Sequence, residues 1–197
     1  MKKVLTLSLL SVSILFSACQ SGNSEHSSDT EDTSEAVAKD VKPTLANVDS
    51  TVSAKTQEVF DHYIHVKTAL VNSDAPEAQN GAKAIVSVID GFDASGMSAD
   101  QKAEYDKSIS GIRTNAQAIA GENSLEKQRT TFAELSKHAY ALVKAFGANR
   151  TIYHDHCPMA LDDKGAMWLS DEKDIKNPYF GNKMLECGSV EEIIQAK

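Results

Sequence analysis

Between residues 50 and 147 apolar side chains recur at alternating steps of three and four, the spacing that lines one face of an α-helix. Val59, Tyr63, Val66 and Leu70 set the first stripe, Phe60 and Val71 widen it, and Asn72-Ser73-Asp74 breaks the run. Asp74 ahead of Pro76-Glu77 has the pattern of a cap and first turn, after which Ala78, Ala82, Ile85 and Ile89 carry a second stripe to Gly91. Ser98 with Gln101 makes a capping box, and Tyr105, Ile109, Ile112, Ala116 and Ile119 hold the spacing until Gly121. Asn123 with Glu126 opens a fourth run, in which Leu125, Phe132, Leu135, Ala139, Leu142 and Phe146 share a face before Gly147. Four helices of about 15 to 23 residues with short joints predict an antiparallel four-helix bundle. The expected fold class is all-α, with the bundle followed by an irregular segment rich in cysteine, methionine and aromatic residues.

The chain ahead of the bundle reads differently. Lys2 and Lys3 precede an apolar run, Val4 to Phe16, and the small residues Ser17-Ala18 stand directly before Cys19. That is the layout of a signal peptide over residues 1–18, with a run of about 13 residues against the roughly 20 that a membrane-spanning helix needs. Leu15-Phe16-Ser17-Ala18-Cys19 resembles the lipobox of bacterial lipoproteins, which implies acylation of Cys19 and a lipid anchor in the cell envelope. Gln20 takes the place of the aspartate that marks inner-membrane retention, so the outer membrane, facing the periplasm, is the favoured location. Residues 19–48 form the tether. Gln20 to Lys42 is dominated by Ser, Thr, Asp, Glu and Asn and buries too little to offset ordering entropy, so it is expected to be disordered, with His26 solvated within it. Residues 49–197 make one domain, long enough for a real core. Loss of Lys2 and Lys3 takes the formal charge from −8 to about −10, which disfavours nucleic acid and anionic headgroups as partners and favours cations.

Within the bundle, His62 and His65 lie three apart with His138 as a conceivable third metal ligand, but no di-iron carboxylate pattern accompanies them and packed or solvated roles suit them better. The chemistry concentrates in residues 151–190, which hold both remaining cysteines, the single tryptophan and three of the five methionines. His154-Asp155-His156-Cys157-Pro158-Met159 packs two imidazoles, a thiol and a thioether together. Extended backbone there would turn Cys157 and Met159 to one face and His154 and His156 to the other. Met184 and Cys187, three apart, share one side of a helical turn that Gly188 can end. Cys157, Met159, Met184 and Cys187 would make a soft ligand set for monovalent copper, with zinc or silver as alternatives and His156 as the nearest auxiliary donor. Two cysteines left over in an oxidising compartment are equally a disulfide pair, and from spacing alone the bridge is favoured. Closing that loop of about 31 residues is worth roughly 3.5 to 4 kcal/mol in the chain-entropy model.

Tyr153, His156-Cys157-Pro158-Met159-Ala160, Lys164-Gly165-Ala166, Trp168-Leu169-Ser170, Ile175, Asn177-Pro178-Tyr179-Phe180-Gly181 and Lys183-Met184-Leu185-Glu186-Cys187-Gly188 resemble the family called domain of unknown function 3347. Lys67, Ala69-Leu70-Val71 and Asp74 resemble its first helix, so the likeness runs from about residue 52 to 190. Members occur as separate exported proteins and as the C-terminal part of periplasmic adaptors of heavy-metal efflux pumps. The resemblance implies a binding protein for a soft heavy-metal ion, copper first, that hands its cargo to an efflux adaptor or carrier. It also tilts Cys157, Met159, Met184 and Cys187 toward metal capture, with Trp168 and the Asn177 to Gly181 turn as frame. No nucleophile elbow, phosphate loop, zincin helix or Cys-x-x-Cys pair is present, so an enzyme is not expected. The alternative is an envelope interaction module whose tail is closed by a Cys157–Cys187 disulfide and binds no metal.

Overall fold

The protein is described here by a computed structural model covering residues 38–196. The expected signal peptide, Cys19 and most of the expected tether lie outside the described residues. Strand β1 (Lys39–Val41) is followed by four helices, α1 (Ser50–Val71), α2 (Ala75–Asp90), α3 (Ala99–Ala120) and α4 (Leu125–Phe146). Three more strands complete the chain: β2 (Ile152–Cys157), β3 (Ala166–Ser170) and β4 (Ser189–Ile194).

Each helix starts on a side chain that accepts an orphan backbone N–H. Asp49 accepts from Thr51 at 2.7 Å and Asp74 from Glu77 at 2.9 Å. Ser98 and Gln101 complete both halves of the capping box, at 3.3 and 3.2 Å. The fourth cap is Ser124, which accepts from Lys127, so that helix begins one residue later than the Asn123–Glu126 pattern implied. Consecutive helices pack on one another, and α4 packs back on α1 to close the bundle. The apolar stripes are the faces that meet: Val59, Phe60, Tyr63, Val66, Leu70, Ile85, Ile112, Ile119, Phe132, Leu135, Leu142 and Phe146 are all buried.

The fold is not all-α. Residues that looked irregular form a four-stranded sheet in the order β1-β4-β2-β3, with β1 parallel to β4 and the other pairs antiparallel. Two features hid it. Strand β2 reads Ile-Tyr-His-Asp-His-Cys and β4 reads Ser-Val-Glu-Glu-Ile-Ile, so neither has the apolar alternation that betrays a half-buried strand. Strand β1 is three residues inside a polar tract, and it exists because β4 offers it an open edge, Gln195 N–H donating back to the Val41 carbonyl at 2.9 Å. Thr44 and Leu45 then dock by backbone hydrogen bonds on Lys144 and Ala145, so the ordered domain starts ahead of the helices.

Strand β3 carries the sheet onto the bundle, mainly against α4. Trp168 and Leu169 are both fully buried, and the Leu169 N–H donates to the Tyr63 hydroxyl at 2.9 Å, which also pairs with Ser136 at 2.8 Å. Phe60, Tyr63 and Phe132 stack at 5.7 and 5.1 Å, Tyr179 meets Phe132 at 6.0 Å, and Trp168 meets Tyr179 edge-on at 5.9 Å. This ring column is continuous from α1 through α4 to the sheet. Aromatic contacts of this kind add about 0.5–1.5 kcal/mol each beyond area burial.

Candidate functional site

Asn177 organises the loop between β3 and β4. Its backbone N–H donates to Leu185 at 2.8 Å, its side-chain amide donates to the Cys187 carbonyl at 2.7 Å, and its side-chain oxygen accepts from Tyr179 and Phe180. Fully buried, it satisfies its loop from both ends, as an Asx turn does. The Tyr179 hydroxyl donates to the Met167 carbonyl at 2.5 Å, fixing the same loop to β3. Cys187 is thereby set against β2, where it forms a disulfide with Cys157 across 5.8 Å between Cα atoms. Gly188 follows with φ near +142°, and a Cβ there would stand 2.9 Å from both the Trp168 ring and the His156 carbonyl. No other residue fits that place.

Of the four sulfur-bearing residues, Cys157 and Cys187 meet in the disulfide. Cys157 is fully buried, whereas Met159 is 47% exposed, because β2 ends at Cys157 and Met159 takes helical backbone angles in the turn that follows. The extended alternation that would have turned Met159 toward Cys157 stops at Pro158. Met184 accepts the Cys187 N–H at 3.2 Å in a single turn and is half-buried beside it. Trp168 plugs the core behind the bond. The bundle histidines are apart: His65 pairs with Glu77 at 2.5 Å, and His138 lies over the backbone of Gly111. Among the described residues, no group of three or more His, Cys, Asp or Glu side chains is already disposed to hold a metal.

The two faces of β2 differ. On one, Asp155 and Cys157 are buried, and Asp155 completes no hydrogen bond with either oxygen. Burial pushes its carboxyl from 3.8 up to about 7, against the pull of Lys67 and the Trp168 indole. Lys67 is itself buried, its ammonium donating to Ser170 at 3.3 Å, and burial lowers its pKa. On the other face stand His154 and His156. Tyr140 of α4 stacks on His154 with centroids 4.6 Å apart, and burial lowers the His154 pKa, so the ring is neutral at neutral pH.

Sequence reasoning missed the acidic partners of these rings. The β2–β4 register slips between His154 and Asp155, leaving Glu191 as the extra residue of a bulge. Glu192 turns to Tyr140 at 2.6 Å and Lys144 at 3.4 Å, while Glu191 turns to His154 and His156. The signal available was the pair of adjacent glutamates in an otherwise apolar stretch; nothing local told which strand they would meet.

A family model described as a protein of unknown function, DUF3347, matches residues 59–151. Residues 59–151 belong to the DUF3347 family. The matched span is the helical bundle from the middle of α1 to the residue before β2. The cysteine and histidine segment that resembles the family in motif lies beyond that span, so family membership is carried by the scaffold. No curated protein and no solved structure matches the chain.

The Asp155 carboxyl yields a pH prediction. Its native pKa lies above its unfolded one, so the stability it contributes as the protonated form is complete below about pH 4 and is lost as pH rises to about 7. Asp155→Asn removes that loss. Urea unfolding at pH 4, 5.5 and 7 should show the variant gaining on the wild type across the window, by about 1 to 4 kcal/mol at its upper end. A difference that stays constant with pH would mean that Asp155 ionises as freely as it does in water.

Proposed function

We propose that the protein is an exported, lipid-anchored envelope protein that takes up a soft heavy-metal ion, copper in the first place, and passes it to an efflux adaptor or carrier. The observation that carries this proposal is the meeting of Cys157 and Cys187, thirty residues apart in sequence, with Met184 one turn away. Two thiolates and a thioether favour monovalent copper or silver over hard cations, with zinc next. His156, expected from the sequence as an auxiliary donor, stands on the opposite face of β2 and is left out of this set. The disulfide makes the site redox-gated: the bonded pair has no thiolate to offer, and exchange with an external dithiol reductant, itself oxidised to a disulfide, frees both sulfurs. Asn177 supports the gating, since its hydrogen bonds to Leu185 and Cys187 shape the loop from within and the Tyr179 hydroxyl ties that loop to β3, all without the disulfide. Exchange between sulfur donors then moves the ion on without covalent turnover, and no catalytic residue is assigned.

A second reading is favoured by the complete burial of Cys157. In it the disulfide is a permanent staple worth about 3.5 to 4 kcal/mol, and the domain docks an envelope partner without metal.

Titration with monovalent copper under reducing conditions separates the two. Uptake of about one ion per reduced chain is expected, with Cys157→Ser and Cys187→Ser each abolishing it. Met184→Leu should weaken binding with little loss of stability, and Met159→Leu, at its exposed turn, should weaken it less. No uptake after reduction leaves the staple. The anchor is tested separately: Cys19→Ala should move the protein from the membrane fraction to the soluble one, and unchanged fractionation would remove the lipid from the account.

A further inference from the structure

Strand β2 carries donors on both faces, and the face turned away from Cys157 is built independently of the thiols. His154 and His156 are two apart on one strand, so their rings project to the same side. The bulge in β4 places Glu191 between them. One carboxylate oxygen stands 3.3 Å from His156 Nδ1 and the other 3.8 Å from His154 Nδ1. A charge-assisted hydrogen bond would close to about 2.7–2.9 Å. Nitrogen and oxygen donors about 2.0–2.2 Å from a tetrahedral ion stand about 3.3–3.5 Å from each other, which is the spacing found at His156.

Both rings present Nδ1 toward the carboxylate. His154 Nδ1 is buried without a hydrogen-bond partner, while the Tyr140 stack holds the ring plane. The opposite edge of His156 lies on Gly165, where a Cβ would come within 2.8 Å of Nε2. The neighbouring cation Lys144 is engaged with Tyr140 and Glu192, so it does not neutralise Glu191. We propose that His154, His156 and Glu191 bind one divalent first-row cation of borderline softness, zinc or cupric copper, through two imidazole nitrogens and a carboxylate. The set as it stands is open; it closes by side-chain rotation of Glu191 and His156, which are 46% and 33% exposed. Two nitrogens and one carboxylate oxygen leave a fourth position for water, and they select against calcium and magnesium, which take oxygen ligands.

The test uses the disulfide-bonded protein, in which the cysteine site is silent, so its outcome is independent of copper uptake by the reduced form. Calorimetric titration with zinc chloride should give one ion per chain. Glu191→Gln and His156→Ala should each weaken binding at least tenfold, and His65→Ala on α1 should leave it unchanged. The electron paramagnetic resonance spectrum of the cupric form should carry hyperfine coupling from two nitrogens and lose one of them in His156→Ala. Glu191 is on the surface, so Glu191→Gln keeps the fold, and matching melting curves check this. Absence of zinc uptake by the oxidised protein, or uptake unaltered in both Glu191→Gln and His156→Ala, would overturn the site.

Discussion

Strand β2 has to be paired on both edges although half of its side chains are histidine or aspartate. Everything in the C-terminal half follows from how that burial is compensated, because a polar group taken from water without a partner costs several kcal/mol. On the buried face the compensation is incomplete: Asp155 stays closer to neutral, and Lys67 approaches from α1 as a long-range counter-charge. On the other face it is achieved by the β4 bulge, which delivers two carboxylates where a regular ladder would deliver one. Cys157 closes the strand and takes Cys187 as its covalent partner.

The bond between the cysteines is not the sole restraint on the loop that carries Cys187. Asn177 grips that loop by its backbone, Tyr179 fixes it to β3, and β4 resumes immediately after Gly188. Opening the bond therefore releases thiols without releasing the elements around them, and local opening of this kind costs far less than global unfolding. The bundle stands apart from this chemistry. Its ring column reaches the sheet through Tyr179 and Trp168 and serves to hold β3 flat against α4.

The helices were legible because one physical rule, burial of a stripe at a period of 3.6, sets the apolar positions of all four, from Val59 to Phe146. Asp74, Ser98 and the ends at Gly91 and Gly121 followed from cap chemistry that is local in sequence. The sheet was not legible, since the strands are stabilised by pairing between distant parts of the chain, Lys39 with Glu192 and Ile152 with Ile194, and not by their own composition. Lys39 to Val41 carries no strand signal at all and is recruited by an edge. Met159 was expected to share a face with Cys157 on an extended run through Pro158, whereas the strand ends at Cys157 and Met159 takes helical angles at the surface. Glu191 could not be connected to His154 and His156 without the bulge, and Asn177, read as part of a turn, proved to be the residue that positions Cys187.

The central claim is that Cys157 and Cys187 work as a reversible pair and not as a permanent staple. Alkylation of thiols in intact cells before lysis, followed by mass spectrometry, measures this directly. The account predicts a population in which both cysteines are alkylated together, growing when the cells are held under reducing conditions. Complete protection of both by their bond to each other under every growth condition would contradict it.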